Sequence, residues 1–231
     1  MELKTAMIRP AAALAALTPH LRHRWRCRRR DPQHRSIIVI DLVAFGARGD
    51  LAQLTAREDL DTVVNAALRA SGLSRARLRF EDRGDGMLIF VSPVVSKAML
   101  IDPFVPALRT RLHAHNTAAP AERRIRVRVA IHAGEVVQGP HGWIGTELNL
   151  ACRLVDAAVV REEFAHQPQA DLVVAISDVI HRAVVRHGHR GTDVASYKGV
   201  RVATKEVITR AWIHSPRDSA WKFVSSSSTT G

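Results

Sequence analysis

Residues 36–46 read SIIVIDLVAFG. The four consecutive β-branched apolar residues at 37–40 predict a strand that is buried on both faces, because such strands lack an alternation of polar and apolar positions. The run stops at the carboxylate of Asp41. A carboxylate at the end of a buried strand needs a compensating partner, and metal ligation is one way to provide it. The alternative is an aspartate that caps a turn.

A second segment, residues 77–90, reads RLRFEDRGDGMLIF. It predicts a β-hairpin around Gly-Asp-Gly, since the glycines allow positive φ in the turn. If this hairpin lies beside the first strand, Asp85 and Asp41 converge. Two hard oxygen ligands at adjacent strand ends suit Mg²⁺ or Mn²⁺ bound to a nucleoside triphosphate. An aspartate is also common in hairpin turns without any metal.

Two further segments follow, RVAIHAGEVVQG at 128–139 and GTELNLACRL at 145–154. Alternating arginine and β-branched residues predict a strand from Ile125 to Ala133, with a turn at Gly134. A helix is predicted over Asn149–Val159. Asn149 and Arg153 are four residues apart and therefore share one helix face. Without a functional role, they are a surface arginine and an ordinary helical asparagine.

In this order, the four segments resemble the catalytic domain of class III nucleotidyl cyclases. The resemblance rests on Asp-x-x-x-Phe from Asp41 to Phe45, on Gly-Asp-Gly, on Ile-His-x-Gly-x-Val and on Gly-x-x-x-Asn-x-Ala-x-Arg-Leu. It spans roughly residues 35–213. It implies an α+β fold with a ferredoxin-like core, in which a mixed β-sheet has helices packed on one face.

The resemblance also assigns roles to individual residues. Two Mg²⁺ or Mn²⁺ ions per site would be held by Asp41 and Asp85, with the Leu42 carbonyl nearby. Asn149 would position the ribose, and Arg153 would stabilise charge on the transferring phosphorus, a task that suits a bidentate guanidinium. The residues implied in substrate binding are Phe45, Glu81, Gly142 and Lys198. Lys198 would neutralise the triphosphate; as an ordinary residue, it is a solvent-facing lysine.

The positions that select the base depart from the adenylate-forming pattern. Members with that pattern carry a lysine four residues before the second metal aspartate and an aspartate seven residues before the helix asparagine. This chain has Glu81 and Gly142 there. A glutamate resembles the guanine-selecting arrangement, because a carboxylate accepts hydrogen bonds from a ring N–H and an exocyclic amine. Gly142 supplies no side chain, so the sequence leaves the base undetermined.

The resemblance therefore predicts an enzyme that converts an NTP to a 3′,5′-cyclic NMP and pyrophosphate, for intracellular signalling. The family protomer carries the metal aspartates and the Asn/Arg helix at opposite ends, which implies a two-metal site at a homodimer interface. The alternative is a catalytically weak or inactive cyclase-like module that binds nucleotide or dimerises. The altered base-selecting positions favour this alternative, and the presence of Asp41, Asp85, Asn149 and Arg153 opposes it.

Charge is concentrated at the start of the chain. The net charge is +12, and residues 1–35 hold nine Lys or Arg against two acidic residues. We therefore predict a basic, disordered arm at 1–34, a cyclase-like domain at 35–214 and a polar, disordered tail at 215–231. The arm could contact nucleic acid or an anionic surface through its arginines. It could equally be a solvated leader without a partner.

Two further observations concern the cellular setting. The longest apolar run near the start, Ala11–Leu17, is far shorter than the roughly 20 residues that span a bilayer, so no transmembrane segment is predicted. Two cysteines, Cys27 and Cys152, lie far apart in unlike settings. A disulfide framework is therefore not expected, and a cytoplasmic location is predicted.

Overall fold

The computed structural model describes residues 31–203 and 208–214. The tail at 215–231 and almost all of the basic arm lie outside this range. In chain order, the elements are β1 Gln33–Leu42, α1 Asp50–Ala70, β2 Leu78–Asp82, β3 Gly86–Val91, α2 Ala98–Ile101, α3 Phe104–Ala118, β4 Val127–Gly139, β5 Gly142–Ile144, α4 Thr146–Val155, α5 Ala158–His166, β6 Leu172–Ser177, α6 Asp178–Ala183, β7 Lys198–Ala203 and β8 Ile208–His214. No helix in the described ranges is long and apolar enough to cross a membrane.

The strands form one mixed sheet in the order β2-β3-β1-β4-β6-β8-β7, and β5 pairs with β4 outside this row. The pair β4 and β6 is parallel, whereas the other neighbours are antiparallel. The first four strands, together with α1 and α3, follow the β-α-β-β-α-β order of a ferredoxin-like core. The predicted α+β class and mixed sheet are confirmed.

Helices cover both faces of this sheet, so the prediction that they pack on one face was wrong. Ile38 and Ile40 of β1 lie in a core with α1, α3 and α6, on what we call the α1 face. Ile37 and Val39 point the other way, into a second core with α4 and α5 on the α4 face. The physical reason is that α4 is itself amphipathic: its buried residues are Leu148, Ala151, Leu154 and Val155.

The turn predicted at Gly134 is absent from β4. This strand runs through Gly134 and spans thirteen residues, from Val127 to Gly139. Its pairing with β1 runs without interruption from Leu42 opposite Val127 to Gln33 opposite Val136. The chain reverses only after Gly139, before β5. Glycine is needed at 134 for another reason, since a Cβ there would lie 2.4 Å from Cγ of Glu147 on α4.

The close approach of β1 and β3 gives a prediction about stability. Gly86 lies opposite Asp41, and a Cβ at Gly86 would lie 2.0 Å from the backbone oxygen of Ile40. We expect Gly86→Ala to lower the free energy of unfolding in urea by about 3 kcal/mol, because the two strands must separate. Gly46→Ala is the matched control, as nothing lies within 4 Å of its Cβ position. Equal stability of the two variants would rule out this strand contact.

Candidate active site

The two predicted metal aspartates lie at adjacent strand ends. Asp41 is the penultimate residue of β1 and pairs with Gly86, the first residue of β3. The backbone N–H of Leu42 donates to the carbonyl oxygen of Asp85 at 2.9 Å, which fixes the hairpin turn against the end of β1. The convergence expected from the two sequence segments is therefore present in the structure.

Arg128 is the residue at this site that the sequence analysis missed. It lies directly opposite Asp41 in the β1–β4 register, and its side chain is 13% exposed. Nε donates to Oδ2 of Asp41 at 2.9 Å, and Nη2 donates to the same oxygen. The signal was the alternation of arginine with β-branched residues before Ile131, but that pattern does not say which arginine faces Asp41.

The surroundings of the Asp41 carboxyl shift its pKa in opposing directions. Burial raises its pKa above the usual range, the hydrogen bonds and charge of Arg128 oppose that rise, and the charges of Asp85 and Asp156 add to it. Crowding of negative charge at a buried carboxylate favours a bound cation. The donors are carboxylate oxygens with a backbone carbonyl nearby, a set that fits Mg²⁺ or Mn²⁺.

This donor set is small. Within residues 31–203 and 208–214, no three His, Cys, Asp or Glu side chains are grouped so that they could hold a metal ion. Two carboxylates without a third protein side chain suit an ion that keeps water and phosphate oxygens as its other ligands.

The predicted catalytic pair lies in the wall of a cavity. Asn149 and Arg153 lie on α4, and Asn149 is exposed whereas Arg153 is half-buried. The cavity has a volume of about 450 Å³. The residues that line it are Asn149, Cys152, Arg153, Asp156, Ala157, Ala158, Arg161 and Ala203. The structure therefore brings Asn149 and Arg153 together, as their helical spacing predicts.

Asp156 connects this cavity to the two aspartates. It follows the last residue of α4 and lines the cavity, and its Oδ1 lies 3.8 Å from Nη2 of Arg128. Arg128 in turn binds Asp41. The C-terminal end of α4 is thus beside the end of β1 within one chain, which is closer than the predicted placement at opposite ends of the protomer.

The solved structures that superpose on this chain include several nucleotidyl cyclases. An adenylate/guanylate cyclase/hydrolase from Silicibacter pomeroyi superposes with a TM-score of 0.59 at 16% identity, over 81% of this chain and 99% of that one. The guanylyl cyclase Cya2 gives 0.57 at 14% identity, over 82% and 96%. The chain has the class III nucleotidyl cyclase fold. The guanylate cyclase domain of RhGC from Catenaria anguillulae, solved with GTP, gives 0.51 at 14% identity, over 80% and 98%.

Sequence comparison alone does not reveal this cyclase fold. No protein-family model matches the chain, and no curated protein matches it. At such low identities, the likeness to solved structures concerns the backbone arrangement.

A hydrogen bond from a buried histidine fixes α4, the helix that carries Asn149 and Arg153, to the sheet. His132 on β4 is fully buried, and burial lowers its pKa, so its imidazole is neutral near pH 7. Its Nε2 donates to Oε2 of Glu147 at 2.5 Å, while Nδ1 has no hydrogen-bond partner among the described residues. Glu147 lies in the first turn of α4 and crosses Gly134 to reach His132. This contact sets the position of Asn149, two residues later.

The two predicted base-selecting positions, Glu81 and Gly142, also meet. One oxygen of Glu81, Oε1, accepts a hydrogen bond of 3.0 Å from the backbone N–H of Trp143. Gly142 has φ of 121°, and a Cβ there would lie 2.7 Å from that oxygen. Glycine therefore lets Glu81 dock on the backbone of β5. The carboxylate keeps its second oxygen, Oε2, for other donors.

Two remaining predicted residues lie away from the cavity. Phe45 belongs to the short 3₁₀ turn Phe45–Ala47 after β1 and packs partly buried against the core of the α1 face. Lys198 is exposed at the start of β7. Ala203, which lines the cavity, is at the other end of that strand, about 16 Å away along the chain.

Proposed function

We propose that the chain is a nucleotidyl cyclase that converts an NTP to a 3′,5′-cyclic NMP and pyrophosphate. One observation carries the proposal: Asp41 and Asp85 meet at adjacent strand ends, where two carboxylates can hold a divalent ion. Further support comes from the cyclase fold and from the GTP complex of the Catenaria anguillulae domain.

In this reaction, the 3′-oxygen attacks the α-phosphorus, the bond to pyrophosphate breaks and the 3′-hydroxyl proton is lost. Asp41, Asp85 and the Leu42 carbonyl would hold Mg²⁺ or Mn²⁺. Two bound ions would lower the pKa of the 3′-hydroxyl and neutralise the phosphates.

The remaining residues act on the nucleotide directly. Asn149 would hold the ribose so that its 3′-oxygen faces the phosphorus. Arg153 would donate to the oxygens that gain charge in the transition state. Glu81 would present its second oxygen to the base, and Lys198 and Phe45 would complete the substrate contacts as the resemblance implies.

The proposal is tested by incubating the purified full chain with ATP, GTP, CTP or UTP and Mn²⁺, then identifying products by mass spectrometry. We expect one or more 3′,5′-cyclic NMPs together with an equal amount of pyrophosphate. The background is set by the Asp85→Asn variant. Product no greater than that background, for all four nucleotides, would remove the proposed activity.

We also propose that the active protein is a homodimer in which one chain supplies the aspartates and the other supplies Asn149 and Arg153. Large apolar side chains suit contact with a second chain. Leu51 and Leu54 at the start of α1 are 81% and 59% exposed, and Ile144 on β5 is 62% exposed.

Mixing two inactive variants tests the shared site. Asp85→Asn alone and Arg153→Ala alone should each be nearly inactive, because every site carries the lesion. After subunit exchange, half of the dimers are mixed, and each of these has one intact site of two. We expect roughly a quarter of the wild-type activity to return, as measured by cyclic product formed per milligram of protein.

Subunit exchange is verified in the same experiment with two different affinity tags, one on each variant. Recovery of activity that follows the fraction of doubly tagged dimer supports the shared site. Complete exchange without recovery would mean that Asp85 and Arg153 serve a site within one chain, as the short path through Asp156 also permits.

A second candidate is a module that binds nucleotide with little turnover. It is favoured by the engagement of the Asp41 carboxylate with Arg128 and by the hydrogen bond that ties Glu81 to Trp143. This module would bind a nonhydrolysable NTP in equilibrium dialysis while forming no cyclic product. The mass-spectrometric assay separates it from the enzyme.

A further inference from the structure

The contact between Arg128 and Asp41 has an unusual geometry. Two of the three guanidinium nitrogens, Nε and Nη2, donate to the single oxygen Oδ2 of Asp41. The two side chains are 13% and 12% exposed, so little water is available to replace either partner. The guanidinium therefore engages a carboxylate oxygen that a divalent ion would also need.

A divalent ion and this guanidinium oppose each other in two ways. They compete for electrons on the same carboxylate, and like charges repel strongly where water is scarce. Metal ligation by Asp41 is consequently more favourable when Arg128 moves its charge away from Oδ2.

A second carboxylate lies within reach of that movement. Oδ1 of Asp156 is 3.8 Å from Nη2 of Arg128, and Asp156 is 63% exposed. A small rotation of the long arginine side chain would change this ion pair into a hydrogen bond. Asp156 also lines the cavity, so the guanidinium would then face Asn149 and Arg153.

We propose that Arg128 is a built-in competitor of the metal at Asp41, and that Asp156 is the positioning residue that receives its guanidinium when the metal binds. The inference rests on the proposed function, since it concerns the same metal site. Metal entry thereby brings a third positive group to the wall of the cavity. Loss of Arg128 strengthens metal binding, and loss of Asp156 weakens it.

The test measures Mn²⁺ binding to the full chain without nucleotide, from the electron paramagnetic resonance signal of free Mn²⁺. Arg128→Gln should bind Mn²⁺ about tenfold more tightly than wild type, within the usual range of coupling between two sites. Asp156→Asn should bind it about threefold more weakly. In the Arg128→Gln background, Asp156→Asn should change the Mn²⁺ affinity less than twofold, because the guanidinium that Asp156 would receive is no longer present.

Two controls accompany these variants. Arg161→Gln removes one positive charge from the wall of the nearby cavity without touching Asp41, and it should alter the affinity much less. Arg128→Lys keeps the positive charge but loses the pair of nitrogen donors that both contact Oδ2. Its Mn²⁺ affinity should therefore lie between those of wild type and Arg128→Gln. Thermal unfolding confirms that each variant is folded, and the lysine variant serves if the glutamine variant does not fold.

The outcomes separate the inference from the proposed function. One outcome is that Asp85→Asn abolishes Mn²⁺ binding while Arg128→Gln and Arg128→Lys leave the affinity unchanged. That outcome would overturn the competition and keep the metal site. An unchanged affinity in Asp156→Asn would remove the role of Asp156. Absence of Mn²⁺ binding in wild type and in every variant would overturn the competition, and the cyclic-product assay with nucleotide and Mn²⁺ would then decide the proposed function separately.

Discussion

Formation of cyclic nucleotide should fall by at least about 10³-fold in Asp85→Asn, because an amide cannot replace the charge that holds a divalent ion. Asp85 is exposed in the hairpin turn, and the contact that secures the turn uses its backbone oxygen. The substitution should therefore leave the fold intact. Initial rates with Mn²⁺ and the best nucleotide measure the effect, and urea unfolding measures stability.

Asp41→Asn should abolish turnover as well, but it should also lower stability. Its carboxylate is the partner of the half-buried Arg128, and loss of that charge should cost about 1–3 kcal/mol. The contrast between the two variants is informative, since both are expected to be inactive and only one to be less stable. Retention of a tenth of the wild-type rate in Asp85→Asn would exclude that residue as a metal ligand in the reaction.

Replacing Arg153 with Ala should lower kcat by about 10²- to 10³-fold, the loss expected for one preorganised donor to the transition state. KM should change less than about threefold, because the interaction strengthens only as charge develops. Steady-state rates over a range of nucleotide concentrations separate the two constants.

The matched control is Arg161→Ala, which removes a second guanidinium from the same cavity wall on the next helix, α5. We expect Arg161→Ala to keep kcat within about threefold of wild type, since the substitution spares the resemblance-assigned catalytic pair. If Arg153→Ala raises KM and leaves kcat intact, Arg153 contributes to binding of the ground state only.

Local patterns were enough to predict the elements that carry the candidate site. The buried run 37–40 lies within β1, and Gly84 and Asp85 lie in the turn between β2 and β3, with Gly86 beginning β3. The helical spacing of Asn149 and Arg153 placed both on one cavity wall. Each of these inferences needs only residues that are near in sequence, and for that reason periodicity sufficed.

The errors arose where a residue's partner is distant in sequence. Arg128 was overlooked because its place opposite Asp41 depends on the register of two strands, which no local pattern determines. The turn predicted at Gly134 rests on the frequency of glycine at strand ends, whereas glycine is needed there because Glu147 of α4 lies against it. The helices were assigned to one face because the resemblance gave no account of which apolar residues α4 would bury.

The long separation between Asp41 and Arg128 has a consequence for how the protein folds. They are 87 residues apart, and β1 can pair with β4 only after the intervening helices and hairpin have been synthesised. Closing so large a loop costs conformational entropy, and proteins rich in contacts between distant residues fold slowly. An emerging chain that already contains Asp41 and Asp85, but not yet β4, would bring two carboxylates together without the guanidinium that balances them. The candidate site at Asp41 and Asp85 is therefore expected to acquire its charge balance only after β4 has been synthesised.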